Sequence, residues 1–229
     1  MYYFKAKHIA KSCKVQIVTL THDSQNELQK YYHIPNNRIH IVTCGWEHMI
    51  STQEDDSILE KLGLSNDSQY FFSLGSKYKH KNFQWVINTA MKNPQYKFII
   101  TGTGIFSDNE KELKKQIPDN VIFTGYISNE EIKALMIYCK ALIQPSIYEG
   151  FGLPPLEALA VGSEIIVSNR SSLPEIYRDT AYYIDPYSDG VNLDDLLKKQ
   201  KVKNSDIVLS EYTWKKAAQQ IIQVIQKVR

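Results

Sequence analysis

Apolar residues in this chain fall into short, mostly unbroken runs, each followed by a stretch whose apolar positions recur every three or four residues. The runs at Val15–Leu20, Ile39–Val42, Tyr70–Leu74, Lys97–Thr101, Val121–Thr124, Ala141–Gln144, Glu164–Val167 and Ala181–Ile184 predict strands. Runs that do not alternate with polar residues suit parallel strands covered on both faces. Between them, Ser24 with Glu27, Ser128 with Glu131 and Ser172 with Glu175 each fit a capping box at a helix start. Pro155 and Pro174 mark first helical turns, where a missing N–H costs nothing. Strand and helix in alternation predict an α/β fold with a doubly wound, mostly parallel, Rossmann-like sheet.

One complete sheet fits between about residues 70 and 185, whereas residues 1–44 supply two strands, too few to stand as a domain. The expected organisation is a remnant of a first domain with its linker over 1–48, a ligand-binding domain over 49–210, and a closing helix over 211–229. The two orphan strands would leave an adhesive edge, so a second copy or a partner chain is expected to cover it.

With 43% hydrophobic and 23% charged residues, the 229-residue chain reads as a soluble globular protein with a real core. A net charge of +2, without a basic stripe interleaved with aromatics, argues against a nucleic-acid partner. Cys13, Cys44 and Cys139 form no CxxC pair, so neither a zinc site nor a redox dithiol is expected, and a reduced cytoplasmic compartment is. The basic, aromatic start, Met1 to Lys11, lacks the apolar run of a signal peptide or membrane span. As an amphipathic helix it could rest on the inner membrane surface; the alternative is a helix packed on the strand that follows.

In open α/β sheets ligands bind beyond the carboxyl ends of the strands, which directs attention to three loops. In Glu149-Gly150-Phe151-Gly152-Leu153-Pro154-Pro155-Leu156-Glu157 two glycines bare the backbone, and a helix opening at the prolines would offer amides and partial positive charge to a phosphate. Carboxylates accept paired hydroxyl hydrogen bonds, so Glu149 and Glu157 suit sugar rings, with Glu157 expected in the first helical turn. In Gly75-Ser76-Lys77-Tyr78-Lys79-His80-Lys81-Asn82, three lysines and a histidine make a cationic patch for a diphosphate. Thr101-Gly102-Thr103-Gly104 opens like a dinucleotide fingerprint, but Ser107 stands where its third glycine belongs.

Together these motifs resemble the C-terminal domain of glycosyltransferase family 4, the group 1 transferases with the GT-B fold. The resemblance runs from about Tyr70 to Trp214 and centres on two glutamates spaced as Glu149 and Glu157 are, around Gly-Phe-Gly-Leu-Pro. Gly75, Lys81-Asn82, Phe123-Thr124-Gly125-Tyr126, Ser168 to Glu175 and Thr213-Trp214 match further family segments. Residues 15–50 resemble the end of the family's first domain and the crossing into the second; the bulk of that first domain has no counterpart here. His22 and His33 do not match its important histidine. Ser76 occupies a position where the family often has arginine, leaving Lys77 and His80 as nearby cations.

The resemblance implies metal-independent transfer of a sugar from a UDP- or GDP-linked donor, with retention, to a glycan or lipid-linked acceptor, and no cofactor. It assigns catalysis to Glu149 and Lys81. Donor binding falls to Gly75, Ser76, His80, Lys81, Gly102, Tyr126, Ile127, Glu149, Gly150, Phe151, Gly152, Leu153 and Glu157, with Glu157 on the ribose and Tyr126 and Ile127 at the base. No Asp-x-Asp motif is present to hold a metal. The alternative is a non-catalytic nucleotide-sugar-binding subunit that needs a partner for the acceptor; a nicotinamide dehydrogenase lacks its complete glycine fingerprint.

Overall fold

A computed structural model describes residues 15–64, 69–75, 78–102, 117–199 and 202–228. Ser76, Lys77, the Gly104–Ser107 segment and the N-terminal stretch through Cys13 therefore lie outside the described residues. Six parallel strands build the main sheet: β3 (Tyr70–Leu74), β4 (Lys97–Thr101), β5 (Val121–Gly125), β6 (Ala141–Gln144), β7 (Glu164–Ser168) and β8 (Tyr182–Ile184). Their spatial order is β5-β4-β3-β6-β7-β8.

The unbroken apolar runs have a direct cause. Tyr70, Phe72, Ile99, Leu142, Ile165 and Val167 face one core, while Phe71, Phe98, Ile100, Ala141, Ile143 and Ile166 face another. Each of the four central strands, β4, β3, β6 and β7, thus buries both of its faces. Leu135 and Leu156, from helices spanning Asn129–Tyr138 and Leu153–Ala160, close the first core. Trp85, from the helix Phe83–Lys92, and Leu193, from Leu193–Lys199, close the second. The sheet is wound from both sides, as the alternation predicts.

The chain runs outward from β3 through β4 to β5, then returns to β6 and continues the other way. Order therefore reverses between β3 and β6, and the loops leaving these neighbours diverge to opposite faces. That opens a crevice at their carboxyl ends.

The first two strands, β1 (Ile17–Thr19) and β2 (Ile39–Ile41), form a separate parallel pair, flanked by the helix His22–Tyr32. Val18 and Leu20 remain exposed, and among the described residues no strand joins the open side of β1. A closing helix, Trp214–Val228, returns along this pair, and its Gln220 side-chain oxygen accepts from Thr43 N at 2.8 Å. Among the described residues no helix is long and apolar enough to cross a membrane.

Three local expectations are corrected. Ser128 and Glu131 form the expected capping box. Thr21, however, and not Ser24, caps the first helix, because Ser24 already lies within it and donates its amide to the Thr21 hydroxyl. Ser172 and Glu175 are drawn into tertiary bonds: Ser172 donates to the Glu149 carbonyl, and Glu175 receives the amides of His22 and Asp23. The third concerns the helix after Glu149. It begins at Leu153, with Gly152 as N-cap at φ 85°, so Glu157 stands in its second turn.

Candidate functional site

The crevice is built by the loops after β3 and β6. After β3 a single 3-10 turn, Lys79–Lys81, ends at Asn82, which adopts φ 57°, a left-handed conformation that asparagine tolerates. The Asn82 amide donates to the carbonyls of Pro145 and Pro186, and Ile147 N donates to the His80 carbonyl at 2.8 Å. These bonds hold the β3 loop against the β6 loop. A Cβ on Gly75 would lie 3.0 Å from the Phe83 ring, a tight contact, and 3.5 Å from the Lys81 stem, so the bare backbone leaves room for Phe83 with Lys81 packed alongside.

Lys81 and Glu149 meet at the centre. Lys81 Nζ lies 2.8 Å from Glu149 Oε1, with the two side chains 18% and 11% exposed. Gln144 Nε2, at the end of β6, donates to the same oxygen at 2.8 Å. Gln144 is buried, and its own carbonyl oxygen has no partner among the described residues.

The glycine loop is held by its carbonyls. Ser171 and Ser172 hydroxyls lie 2.8 and 2.9 Å from the Glu149 carbonyl. Thr21 and Ser24 hydroxyls lie 3.1 and 3.4 Å from that of Gly150, and the Tyr177 hydroxyl donates to that of Gly152. In a trans peptide the C=O and the next N–H point in opposite directions. Each hydroxyl that holds a carbonyl therefore aims the following amide, of Gly150, Phe151 or Leu153, away from itself. Among the described residues these amides, and that of Gly152, have no hydrogen-bond acceptor. Pro154 and Pro155 carry no N–H, so the anion-seeking groups are those four loop amides rather than the first turn of the helix at large. Gly152 is required by space as well as by φ: a Cβ there would lie 2.5 Å from Leu173 Cδ2.

Glu157 faces a different neighbour. Its Oε1 lies 2.8 Å from His48 Nε2, and both residues line a cavity of about 410 Å³ walled by Met49, Leu74, Ile132 and Leu153. Leu74 directly precedes Gly75, so this cavity opens beside the Lys81 loop.

The remaining sequence candidates sit further out. The Phe151 side chain is a core group, packed edge-on against Tyr212, so only its backbone faces the crevice. The His80 ring stacks on Tyr78 at 5.7 Å. Gly102 N donates to the Gly125 carbonyl, at strand ends one and two places beyond β3. Tyr126 is exposed and Ile127 packs against the core, at the end of β5, three strands or roughly 14 Å from β6. His48 and Gln144 carry no local sequence signal, and Ser171 and Ser172 stand in the 168–175 segment without one for this role; His48 and Glu157 are 109 residues apart.

Comparison with known proteins bears on the family and the fold. The family described as Glycosyl transferases group 1 matches residues 54–227. The O-antigen chain mannosyltransferase RfbU of Salmonella typhimurium is 28% identical over 187 residues, covering 80% of this chain and 50% of that protein. O-antigen chain mannosyltransferase B of Escherichia coli is 26% identical over 199 residues, covering 81% of this chain and 51% of that protein. The chain thus spans about half the length of these curated relatives. Among solved structures, sucrose-phosphate synthase from Thermosynechococcus elongatus superposes with a TM-score of 0.79 at 19% identity, over 98% of this chain and 61% of that one. Anabaena Alr3699/HepE, solved in complex with UDP and glucose, gives 0.77 at 17% identity, over 93% and 63%. At these identities the likeness is one of fold, the GT-B type. With the family match extending over most of the sheet, both glutamates and the closing helix, the chain belongs to the group 1 glycosyl transferases.

Proposed function

We propose that this chain carries the donor-binding half of a retaining glycosyltransferase that moves a mannosyl group from a nucleoside diphosphate to a glycan or lipid-linked acceptor. The observation that carries this reading is the glycine loop: five hydroxyls pin three carbonyls and leave unpaired amides in the loop whose Glu149 side chain meets the Lys81 ammonium. Fixed N–H groups next to a cation form a seat for a diphosphate, and they need no rearrangement when negative charge develops on it. The mannosyl assignment is supported by the relatives, two of which are named O-antigen chain mannosyltransferases.

In this reading the bond between the anomeric carbon and the diphosphate oxygen breaks, and the acceptor hydroxyl oxygen bonds the same carbon from the same face. The hydroxyl proton passes to the departing phosphate. Lys81 and the loop amides hold the charge left on the leaving group. Glu149 takes the donor sugar's hydroxyls, and Glu157 takes the ribose hydroxyls at the mouth of the 410 Å³ cavity, whose apolar walls suit a base. Neither resident metal nor cofactor is invoked, and the protein would work at the cytoplasmic face of a membrane where lipid-linked acceptors are assembled.

Calorimetric titration with UDP, GDP and their mannose and glucose conjugates tests the reading. Binding of one nucleoside diphosphate at micromolar to millimolar affinity, weakened roughly 10–100-fold in Lys81→Ala, is expected. No heat with any of them would refute it.

A further inference from the structure

A second chain of polar contacts leads away from Glu157 to the closing helix. Glu157 Oε1 meets His48 Nε2 at 2.8 Å, and the Trp214 indole Nε1 lies 3.0 Å from His48 Nδ1. The direction of both bonds follows from the donors. An indole N–H can only donate, so Nδ1 accepts and carries no proton. A neutral ring then has its proton on Nε2 and donates it to the carboxylate. One tautomer of the uncharged imidazole satisfies both neighbours.

Both ends of this chain are fixed. Glu157 sits between the buried residues Leu156 and Ala158 on its helix. Trp214 opens the closing helix, and its backbone N–H donates to Glu47 Oε2 at 2.7 Å, an oxygen that also accepts from Trp46 N. The Trp46 indole donates to the Leu209 carbonyl at 2.9 Å. A Cβ on Gly45 would lie 2.0 Å from Trp214 N, so only glycine allows the two segments to come this close. His48 is thus held in a junction between residues 45–48 and the start of the closing helix. Among the described residues Glu157 Oε2 has no partner.

We infer that His48 is a positioning residue: it holds one oxygen of Glu157 so that the other meets the ligand's ribose, with Trp214 fixing its tautomer. Seating of the closing helix thereby sets nucleoside affinity. This rests on the reading of Glu157 as the ribose acceptor. A ligand without ribose should be indifferent to His48, and that separates positioning from general damage.

The test uses the 229-residue chain, calorimetry with UDP, GDP and inorganic pyrophosphate, and ¹⁵N NMR of the histidine rings. His48→Ala should weaken the preferred nucleotide by roughly tenfold, the effect of one charge-assisted hydrogen bond, and leave pyrophosphate within about twofold. His48→Gln, whose amide can accept from the indole and donate to the carboxylate, should return affinity to within about threefold of wild type. The His48 ring should show the Nε2–H tautomer in wild type and a mixture in Trp214→Phe. Equal losses for nucleotide and pyrophosphate, unchanged nucleotide binding in His48→Ala, or an Nδ1–H tautomer in wild type would overturn the inference. Wild type that binds neither nucleotide would remove the Glu157 reading as well; wild type that binds while His48→Ala is unaffected removes this inference alone.

Discussion

Replacing Lys81 with alanine separates the pairing seen in the structure from the role proposed for the same ammonium group. Lys81 neutralises Glu149, and in the proposed function it also holds the departing diphosphate. The pair is 18% and 11% exposed. A fully exposed pair contributes about 0–1 kcal/mol, whereas breaking a fully buried one costs about 3–5 kcal/mol. Gln144 still donates to the stranded carboxylate, so the loss should lie near 2 kcal/mol. For a chain of 229 residues, each kcal/mol lowers the melting temperature by about 2–4 °C, which predicts a fall of about 4–8 °C. Adding Glu149→Gln to Lys81→Ala removes the unpaired charge and should recover at least half of that fall. Diphosphate affinity should not recover with it, staying roughly 10–100-fold below wild type in both variants, because no cation replaces the ammonium. In an active two-domain context, transfer should slow by roughly 10²–10³-fold, the scale for loss of one charge-stabilising donor. Differential scanning calorimetry and titration with the nucleoside diphosphate read the two effects independently. A Lys81→Ala protein that melts and binds as wild type does would refute the reasoning, as would a double variant less stable than the single one.

Gly152→Ala combines φ 85° with a Cβ 2.5 Å from the buried Leu173, so urea unfolding should show roughly 1–3 kcal/mol of destabilisation, and nucleotide affinity should fall as the loop shifts; unchanged stability would contradict the cap geometry. Burial raises the Glu47 carboxyl pKa, but backbone N–H donors from Trp214, its own residue, Lys215 and Trp46 outweigh it and hold the group below the usual carboxylate range. The stabilisation is therefore complete above the unfolded-state pKa of about 4.3 and is lost as pH falls through the lower folded value. Tryptophan fluorescence should report acid undocking of the closing helix, and Glu47→Gln should flatten that acid transition. Burial pushes the Cys139 thiol up to about 12, so it should resist alkylation at neutral pH until the protein unfolds, which mass spectrometry of native and urea-treated samples would show.

How far the sequence reveals the molecule depends on where each signal resides. Strands Tyr70–Leu74, Lys97–Thr101 and Ala141–Gln144 end where their apolar runs end, because burial on both faces leaves no freedom at the boundaries. The run at Val15–Leu20 yields only Ile17–Thr19, since a strand with a single partner has fewer ladder bonds to extend it. Proline suggested a helix start at Pro155, yet the glycine two places before Pro154 sets the cap, and a positive φ has no signature beyond the residue type. Lys81 and Glu149 could be assigned to one site because they leave strands on either side of the switch point. Their supporting groups could not. Ser171 and His48 reach the glutamates only through tertiary packing, which no local spacing encodes, and Gln144, although five residues from Glu149, lies in a strand whose register is set by its neighbours.

The residues before the main sheet look, in sequence, like an incomplete piece with no core of its own. In the fold they help to make the site. Thr21 is buried, and its hydroxyl, with that of Ser24, reaches across to the Gly150 carbonyl. Glu175 accepts the amides of His22 and Asp23, and the Asp23 carboxylate lies 3.0 Å from Ser171 Oγ, the hydroxyl that also meets the Glu149 carbonyl. The first helix is therefore capped from the main sheet's side, and it returns a clamp on the glycine loop. A loop pinned from one side alone could rotate the Gly150 carbonyl and turn the Phe151 amide away from the crevice. Pinned by hydroxyls from the first helix as well as from the main sheet, it keeps the amide direction on which the proposed diphosphate seat depends. The same junction that closes the crevice thus fixes the electrostatics inside it, and displacement of the first helix should weaken phosphate binding without altering any residue of the glycine loop.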